Sequence, residues 1–162
     1  MTIILQSIFI DIVATLIIDL WSLILKNVLR LPTTNWAMVG RWFAHLPKAK
    51  FTHDKIADAK PYRFELSLGW IMHYVLGIVY AFLYLFILKI LTTNSEPEFF
   101  SALLFGIVTV LAPWLILQPG LGLGICASRV AKPNLIRAIN LSVHSIFGIA
   151  LFYGWNLFQM II

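Results

Sequence analysis

The chain has few charged residues and almost no cysteine. Only 12% of its 162 residues are charged, whereas 60% are hydrophobic. The charges are missing above all from four apolar stretches, each as long as the roughly 20 residues of helix that cross a bilayer. The single cysteine, Cys126, excludes an internal disulfide, a CxxC redox pair and a thiolate metal cage.

Several functional motifs are also absent. The glycine-rich run that begins at Gln118 has neither GxGxxG spacing nor a GK[ST] ending, so it is no phosphate-binding loop. Nothing resembles a nucleophile elbow, which disfavours a membrane serine hydrolase. The first apolar stretch has no basic n-region and no Ala-x-Ala site, so we expect a retained helix and not a cleaved signal peptide.

The apolar stretches predict an all-α fold, an integral membrane bundle of four transmembrane helices. We place the spans at about 2–29, 65–91, 96–117 and 134–162, within a single domain of residues 1–162. The third span extends to 130 if its helix continues through the glycine run. In the loop 30–64, apolar residues at helical spacing from Trp36 to Leu46 predict a short interfacial helix. Thr52 is positioned to cap a second one.

Lys and Arg are distributed unevenly between the two sides that four spans define. Of the 12 basic residues, all except Lys89 flank the loops after the first and third spans. Cytoplasmic loops carry the excess of Lys and Arg, so both basic loops should be cytoplasmic and both termini outside. The basic residues flank spans and form no soluble patch. We therefore expect the bilayer and its anionic lipid headgroups as partners, and no nucleic acid.

Two acids lie inside the first span. Asp11, Thr15 and Asp19 follow i, i+4, i+8 spacing, which puts them on one helix face. An acid at this depth is costly and usually faces the bundle interior, where it marks function. The alternative is a structural hydrogen bond to a neighbouring helix.

Two histidines lie at the same predicted depth as the second acid. Counting from the cytoplasmic ends at 1.5 Å per residue puts Asp19, His73 and His144 roughly 10–15 Å into the membrane. Gln118 would close this cluster from below, and Arg137 and Asn140 precede His144 on its helix face. The alternative is that each histidine is a hydrogen-bonded residue of the bundle with no chemistry of its own.

Small residues accompany both histidines. Gly69 and Gly77 flank His73, and Gly148 follows His144 by one turn. Such residues let helices approach closely, or leave room for a flat ligand. In the loop, His45 and His53 lack metal-ligand spacing, so headgroup contact is the simpler prediction for them.

The chain resembles a family of small bacterial inner-membrane proteins that is catalogued only as a domain of unknown function. The resemblance covers most of the chain and rests on these stretches: Asn35-Trp36, Val39-Gly40-Arg41-Trp42, Phe51, His53, Gly69-Trp70, His73-Tyr74, Phe105-Gly106, Pro113, Gln118-Pro119 and Ala127-Ser128-Arg129. It implies a bacterial inner-membrane location and a four-span architecture, but no reaction. It also implies that Arg41 and His53 belong to the same pattern as His73, which favours a basic loop folded back on the cytoplasmic mouth.

The leading hypothesis is that the chain is a small membrane protein that binds or transports a ligand. The sequence favours a protein without enzymatic activity over an enzyme. Asp11, Asp19, His73, His144 and Gln118 would bind a ligand or relay protons, and Arg41, His53, Arg137 and Asn140 would line the cytoplasmic mouth. Four helices are few for a permeation path, so we expect a homo-oligomer or a larger membrane complex.

Three other hypotheses stay open. The first is a b-type haem protein with His73 and His144 as axial ligands. The second is a metal-dependent intramembrane enzyme that holds a divalent ion with Asp19 and both histidines. The third is an accessory or assembly subunit, in which the polar residues serve packing alone.

Overall fold

Apolar helices account for nearly the whole molecule. The computed structural model describes residues 2–92 and 96–161, and within these ranges the chain forms five helices and no strand. The helices are α1 (Ile3–Asn27), α2 (Trp36–His45), α3 (Glu65–Leu91), α4 (Phe99–Leu121) and α5 (Pro133–Ile161). All except α2 are long and apolar enough to cross a membrane. The predicted all-α fold with four candidate membrane helices is confirmed.

Helix α1 carries apolar side chains on its exposed surface as well as on its buried face. Leu16, Leu20 and Ile24 are 51%, 61% and 44% exposed, whereas Ile10 and Ala14 are buried. A helix that is apolar all round and exposes large aliphatic side chains fits a lipid solvent and not water.

The described residues divide into two compact units. The first unit comprises Met1–Leu31, Tyr74–Thr109 and Leu141–Ile162, and the second comprises Pro32–His73 and Val110–Asn140. The core of the first unit is centred on Ile10, Ala81 and Leu151. In the second unit a smaller apolar cluster is centred on Trp42, Ile56 and Leu121.

The predicted first interfacial helix is α2. The Asn35 side chain caps it by accepting hydrogen bonds from the amides of Ala37 and Met38, at 3.1 and 3.3 Å. The second predicted helix is reduced to one 3₁₀ turn, Ile56–Asp58, and Lys55 instead of Thr52 stands at its start.

The third span ends between the two limits that the sequence left open. Pro113 has no amide hydrogen, and the helix widens into a π turn over Pro113–Leu117. It returns to α geometry and stops at Leu121, where Gly122 adopts a left-handed φ of 86°. Such a glycine is a common helix terminator, because only glycine lacks the Cβ that opposes this conformation. Residues 122–130 are therefore loop and not span.

Candidate functional site

A file of polar residues runs along one face of α1. Ser7, Asp11, Thr15 and Asp19 recur at every fourth position, and the first three are 1%, 0% and 1% exposed. Asp19 is half-buried. The predicted common face of the two acids is thus present in the structure, and Ser7, which the sequence analysis did not single out, extends it by one turn.

Asp11 is enclosed without a counter-charge. The Thr15 hydroxyl donates to its Oδ1 atom at 2.9 Å, and among the described residues Oδ2 has no hydrogen-bond partner. Gly77 of α3 lies directly against this carboxyl group, and any side chain at that position would collide with it. Glycine at position 77 therefore provides the space that the acid occupies, and burial of this kind favours the neutral carboxylic acid.

Asp19 lies two turns further along α1, about 12 Å from Asp11 by helical rise. The Tyr74 hydroxyl donates to its Oδ2 atom at 3.0 Å. Each of the two acids thus meets a residue of α3, Gly77 at Asp11 and Tyr74 at Asp19. The two acids differ in setting, because one is sealed and the other is half-buried and hydrogen-bonded to a phenol.

His144 on α5 is held by α4. Its Nδ1 atom lies 2.8 Å from the Thr109 hydroxyl, and that hydroxyl donates its only hydrogen to the Gly106 carbonyl at 2.6 Å. Nδ1 must therefore be the donor. His144 is thus oriented as a hydrogen-bonded residue of the bundle.

His73 has a different environment, in the second unit. Its ring lies 4.1 Å from the ring centre of Trp36 and 5.8 Å from that of Trp70. Asp19 and His144 belong to the first unit, so the shared locus of Asp19, His73 and His144 stays a prediction. Among the described residues, no three His, Cys, Asp or Glu side chains form a group able to hold a metal ion. The metal hypothesis therefore gains no support.

Protein atoms occupy the space beside the glycines that accompany the histidines. Gly69 lies against the Trp36 backbone and Gly77 against the Asp11 carboxyl group. Gly148 lies 2.9 Å from the Leu103 Cα atom, measured from the position a Cβ would take. Of the two predicted uses, close helix packing is the one observed. The haem hypothesis consequently rests on the two histidines alone.

Gln118 is buried in the second unit and has a partner there. The Asn140 Oδ1 atom accepts hydrogen bonds from Gln118 Nε2 at 2.7 Å and from Trp114 Nε1 at 3.2 Å. Gln118 Oε1 is buried with no partner among the described residues. Arg137, predicted at the cytoplasmic mouth, donates from Nε to the Cys126 carbonyl at 2.8 Å and holds the loop after α4.

Arg41, a second predicted mouth residue, ties α2 to the start of α3. Its guanidinium makes a two-point ion pair with Glu65, at 2.8 and 2.9 Å. Its NH1 group also donates to three carbonyls, those of Ile56, Ala57 and Ala59. The hydrogen bond with Glu65 raises the pKa of Arg41 further above its ordinary value, so this guanidinium is always charged. Arg41 thus holds the loop in place.

His53 is part of a histidine pair that the sequence analysis missed. His45 Nδ1 lies 2.9 Å from His53 Nε2, while the outer nitrogens face the carbonyls of Lys60 and Gly120 at 3.1 and 3.0 Å. Each carbonyl can only accept, so both outer nitrogens must carry hydrogens. The bridge then needs a third hydrogen, and the pair forms all three bonds only with one positive charge.

The pKa of His45 is lowered within this pair. Burial lowers it below its ordinary value, and repulsion from His53, Lys50 and Lys48 adds to the effect. The hydrogen bond to the Lys60 carbonyl opposes these causes in part. One positive charge shared by the pair satisfies every contact. The loop thus contains a proton-dependent link between its two ends and the end of α4.

Comparisons with known proteins give a family but no activity. No curated protein and no solved structure matches the chain significantly. A family model does match, over residues 8–157, which is nearly the entire chain. The chain therefore belongs to the family described as "Protein of unknown function (DUF2938)".

Proposed function

We propose that the chain is a multi-pass protein of the bacterial inner membrane that binds or moves protons, or a small cation, through the acids of α1. Its basic loops would lie in the cytoplasm and its termini in the periplasm, as the 11-to-1 distribution of basic residues favours. Asp11 and Asp19 would be the proton-binding groups, and His73 and His144 would extend the relay.

The observation that carries this proposal is the sealed carboxyl group of Asp11. An acid inside a membrane helix is expensive unless it is paired, and Asp11 has no ion pair among the described residues. A purely structural acid would be expected to use both oxygens, yet only Oδ1 is used, by Thr15. The second oxygen, Oδ2, is therefore available to carry a proton.

The arrangement of the file supports a path and not an isolated site. Thr15 lies between the two acids on the same face, and its hydroxyl donates to Asp11 and keeps lone pairs that can accept a hydrogen bond. Tyr74 supplies a second hydroxyl at Asp19. Because four helices are few for a complete path, we propose that the protein acts as a homo-oligomer or within a larger membrane complex.

The protonation of Asp11 can be observed directly. Infrared difference spectra of the purified chain in lipid, recorded between acidic and alkaline buffer, should show the carbonyl stretch of a protonated carboxylic acid. Asp11→Asn should remove that band. Ser7→Ala is the matched control, since Ser7 is equally buried one turn earlier and donates only to the Ile3 carbonyl of its own helix.

Proton movement is the second measurement. In vesicles that contain a pH-sensitive dye and are clamped by potassium and valinomycin, the wild-type chain should accelerate acidification. Asp11→Asn and Asp19→Asn should abolish the acceleration, and Ser7→Ala should retain it. A wild-type chain without any protonated-acid band, or acceleration that survives both Asn variants, would refute the proposal.

A further inference from the structure

The second unit contains a cavity of about 930 Å³ outside the polar file of α1. It is lined by two segments, residues 50–59 of the loop and residues 119–129, which cover the last turn of α4 and the loop after it. Its volume falls in the range of cavities that hold small organic ligands, roughly 300–1,000 Å³. The cavity is independent of the proposed proton function, because none of its lining residues belongs to the first unit.

The two segments are joined to each other. His53 donates from Nδ1 to the Gly120 carbonyl, and Gly120 lies directly against the Trp42 indole, which donates to the Phe51 carbonyl at 2.8 Å. Gly122 lies against the Asp54 carbonyl with a φ of 86°, a place that a side chain could not share. The backbone of both walls is therefore fixed before a ligand binds, which lowers the entropy lost on binding.

The loop that forms the other wall is held in an unfavourable conformation. Cys126 and Ala127 have φ values of 50° and 57°, in the left-handed region that residues with a Cβ avoid. The Arg129 amide donates to the Leu123 carbonyl at 2.9 Å and closes the loop. This backbone places Ser128 and Arg129 in the cavity wall. Strained segments of this kind cluster at ligand sites.

The charges of the wall indicate the ligand. Lys50, Lys55 and Arg129 line the cavity together with two carboxylates, so the lining side chains carry a net charge of +1 before His53 is counted. Within the described residues, none of these three cations forms an ion pair. The one ion pair there joins Arg41 and Glu65. The hydroxyls of Thr52 and Ser128 also line the cavity. Cations and hydroxyl donors in one cavity are the groups that bind phosphate oxygens.

We infer that this cavity binds a phosphate-bearing molecule, with Lys50, Lys55 and Arg129 holding the phosphate. The volume exceeds that of a bare phosphate ion, so the phosphate should be attached to a larger body. A soluble phosphate ester and the headgroup of an anionic lipid share this chemistry. They differ in whether the ligand enters from water or from the bilayer.

The test has one arm for each source. The full chain in phosphatidylcholine nanodiscs is titrated with glycerol 3-phosphate by calorimetry. In parallel, the chain is released from nanodiscs that also contain phosphatidylglycerol, and native mass spectrometry counts the lipids that stay bound. Saturable binding in the first arm assigns a soluble ester, and selective retention in the second assigns a lipid headgroup.

The variants distinguish binding in the cavity from non-specific attraction of phosphate to a basic protein. Lys55→Gln and Arg129→Gln should each weaken binding about tenfold, the value expected for one charge-assisted contact. Lys132→Gln is the matched control, because Lys132 is exposed close to Arg129 in sequence but does not line the cavity. Circular dichroism verifies that each variant is folded. Absence of binding in both arms, or an equal loss in all three variants, would overturn the inference.

Discussion

The contact between Arg41 and Glu65 allows a quantitative test of how the loop is held. The side chains of Arg41 and Glu65 are only 12% and 19% exposed. Exposed ion pairs contribute at most about 1 kcal/mol, whereas removal of one partner from a buried pair costs about 3–5 kcal/mol. Arg41 also satisfies three carbonyls of the 56–59 turn. We therefore expect Arg41→Ala to cost about 3 kcal/mol of local stability.

Lysine at this position should recover only part of the loss. Its single ammonium group keeps the charge but cannot reach a carboxylate and three carbonyls together, so Arg41→Lys should cost about 1–2 kcal/mol. The assay is hydrogen–deuterium exchange of the full chain in nanodiscs, followed by mass spectrometry of the peptides that cover α2. A loss of about 3 kcal/mol corresponds to exchange faster by a factor of roughly one hundred.

A double-mutant cycle identifies the cause. Arg41→Ala combined with Glu65→Ala should cost less than the sum of the single variants, by about 1.5 kcal/mol or more. Arg63→Ala is the matched control, since the Arg63 guanidinium lies 5.2 Å from the Phe64 ring centre and the residue is exposed. It should cost no more than about 0.5–1 kcal/mol. Additive losses in the cycle, or an Arg41→Ala loss as small as that of the control, would refute the reasoning.

Two further predictions concern the histidine pair and the helix crossings. Exchange protection of residues 36–60 should fall as pH drops through the lowered pKa of His45, because a second proton leaves the bridge between His45 and His53 without an acceptor. His45→Gln should flatten this loss, and an unchanged pH profile would contradict the assignment. Gly106→Ala should destabilise the chain by about 2 kcal/mol or more in thermal unfolding, because its Cβ would lie 2.5 Å from the Gly148 backbone. Gly154→Ala, whose Cβ would meet the Ile10 carbonyl at 3.1 Å, should cost clearly less, and equal losses would count against the packing argument.

The sequence predicts the helices well because a single physical rule decides them. A bilayer core requires about 20 apolar residues per span, and the four stretches meet that length. The spacing of Trp36, Val39 and Phe43 predicts α2 for a similar reason. The end of the third span was left open, because glycines permit both a continued helix and a left-handed stop. The observed stop depends on Gly122 lying against Asp54, a contact distant in sequence.

The candidate site could be predicted only in part. Helical spacing alone put Asp11 and Asp19 on one face, and the structure agrees. The fit of the Asp11 carboxyl group against Gly77 was not foreseen, because it depends on how α1 and α3 are rotated about their axes. Sequence periodicity does not report that rotation between separate helices.

The loop contacts could not be predicted at all. Arg41 and Glu65 are 24 residues apart, and no local rule pairs them. His45 and His53 meet because the chain turns back at Ala49, whose φ is 56°. That turn has no glycine or asparagine to signal it. The sequence therefore predicts two separate headgroup contacts for these histidines, whereas the structure joins them by a hydrogen bond.

The contact between the Asp11 carboxyl group and Gly77 also has a consequence for how the protein is synthesised and folded. During synthesis α1 emerges before α3, so its two acids are made before the residues that contact them. Each acid near the middle of a span opposes insertion by roughly 2.5–3.5 kcal/mol, against the gain from the surrounding leucines and isoleucines. Helix α3, which is synthesised later, supplies the space beside Gly77 that Asp11 occupies and the Tyr74 hydroxyl that donates to Asp19. The burial of these acids is therefore completed by Tyr74 and Gly77, which follow Asp19 and Asp11 by 55 and 66 residues.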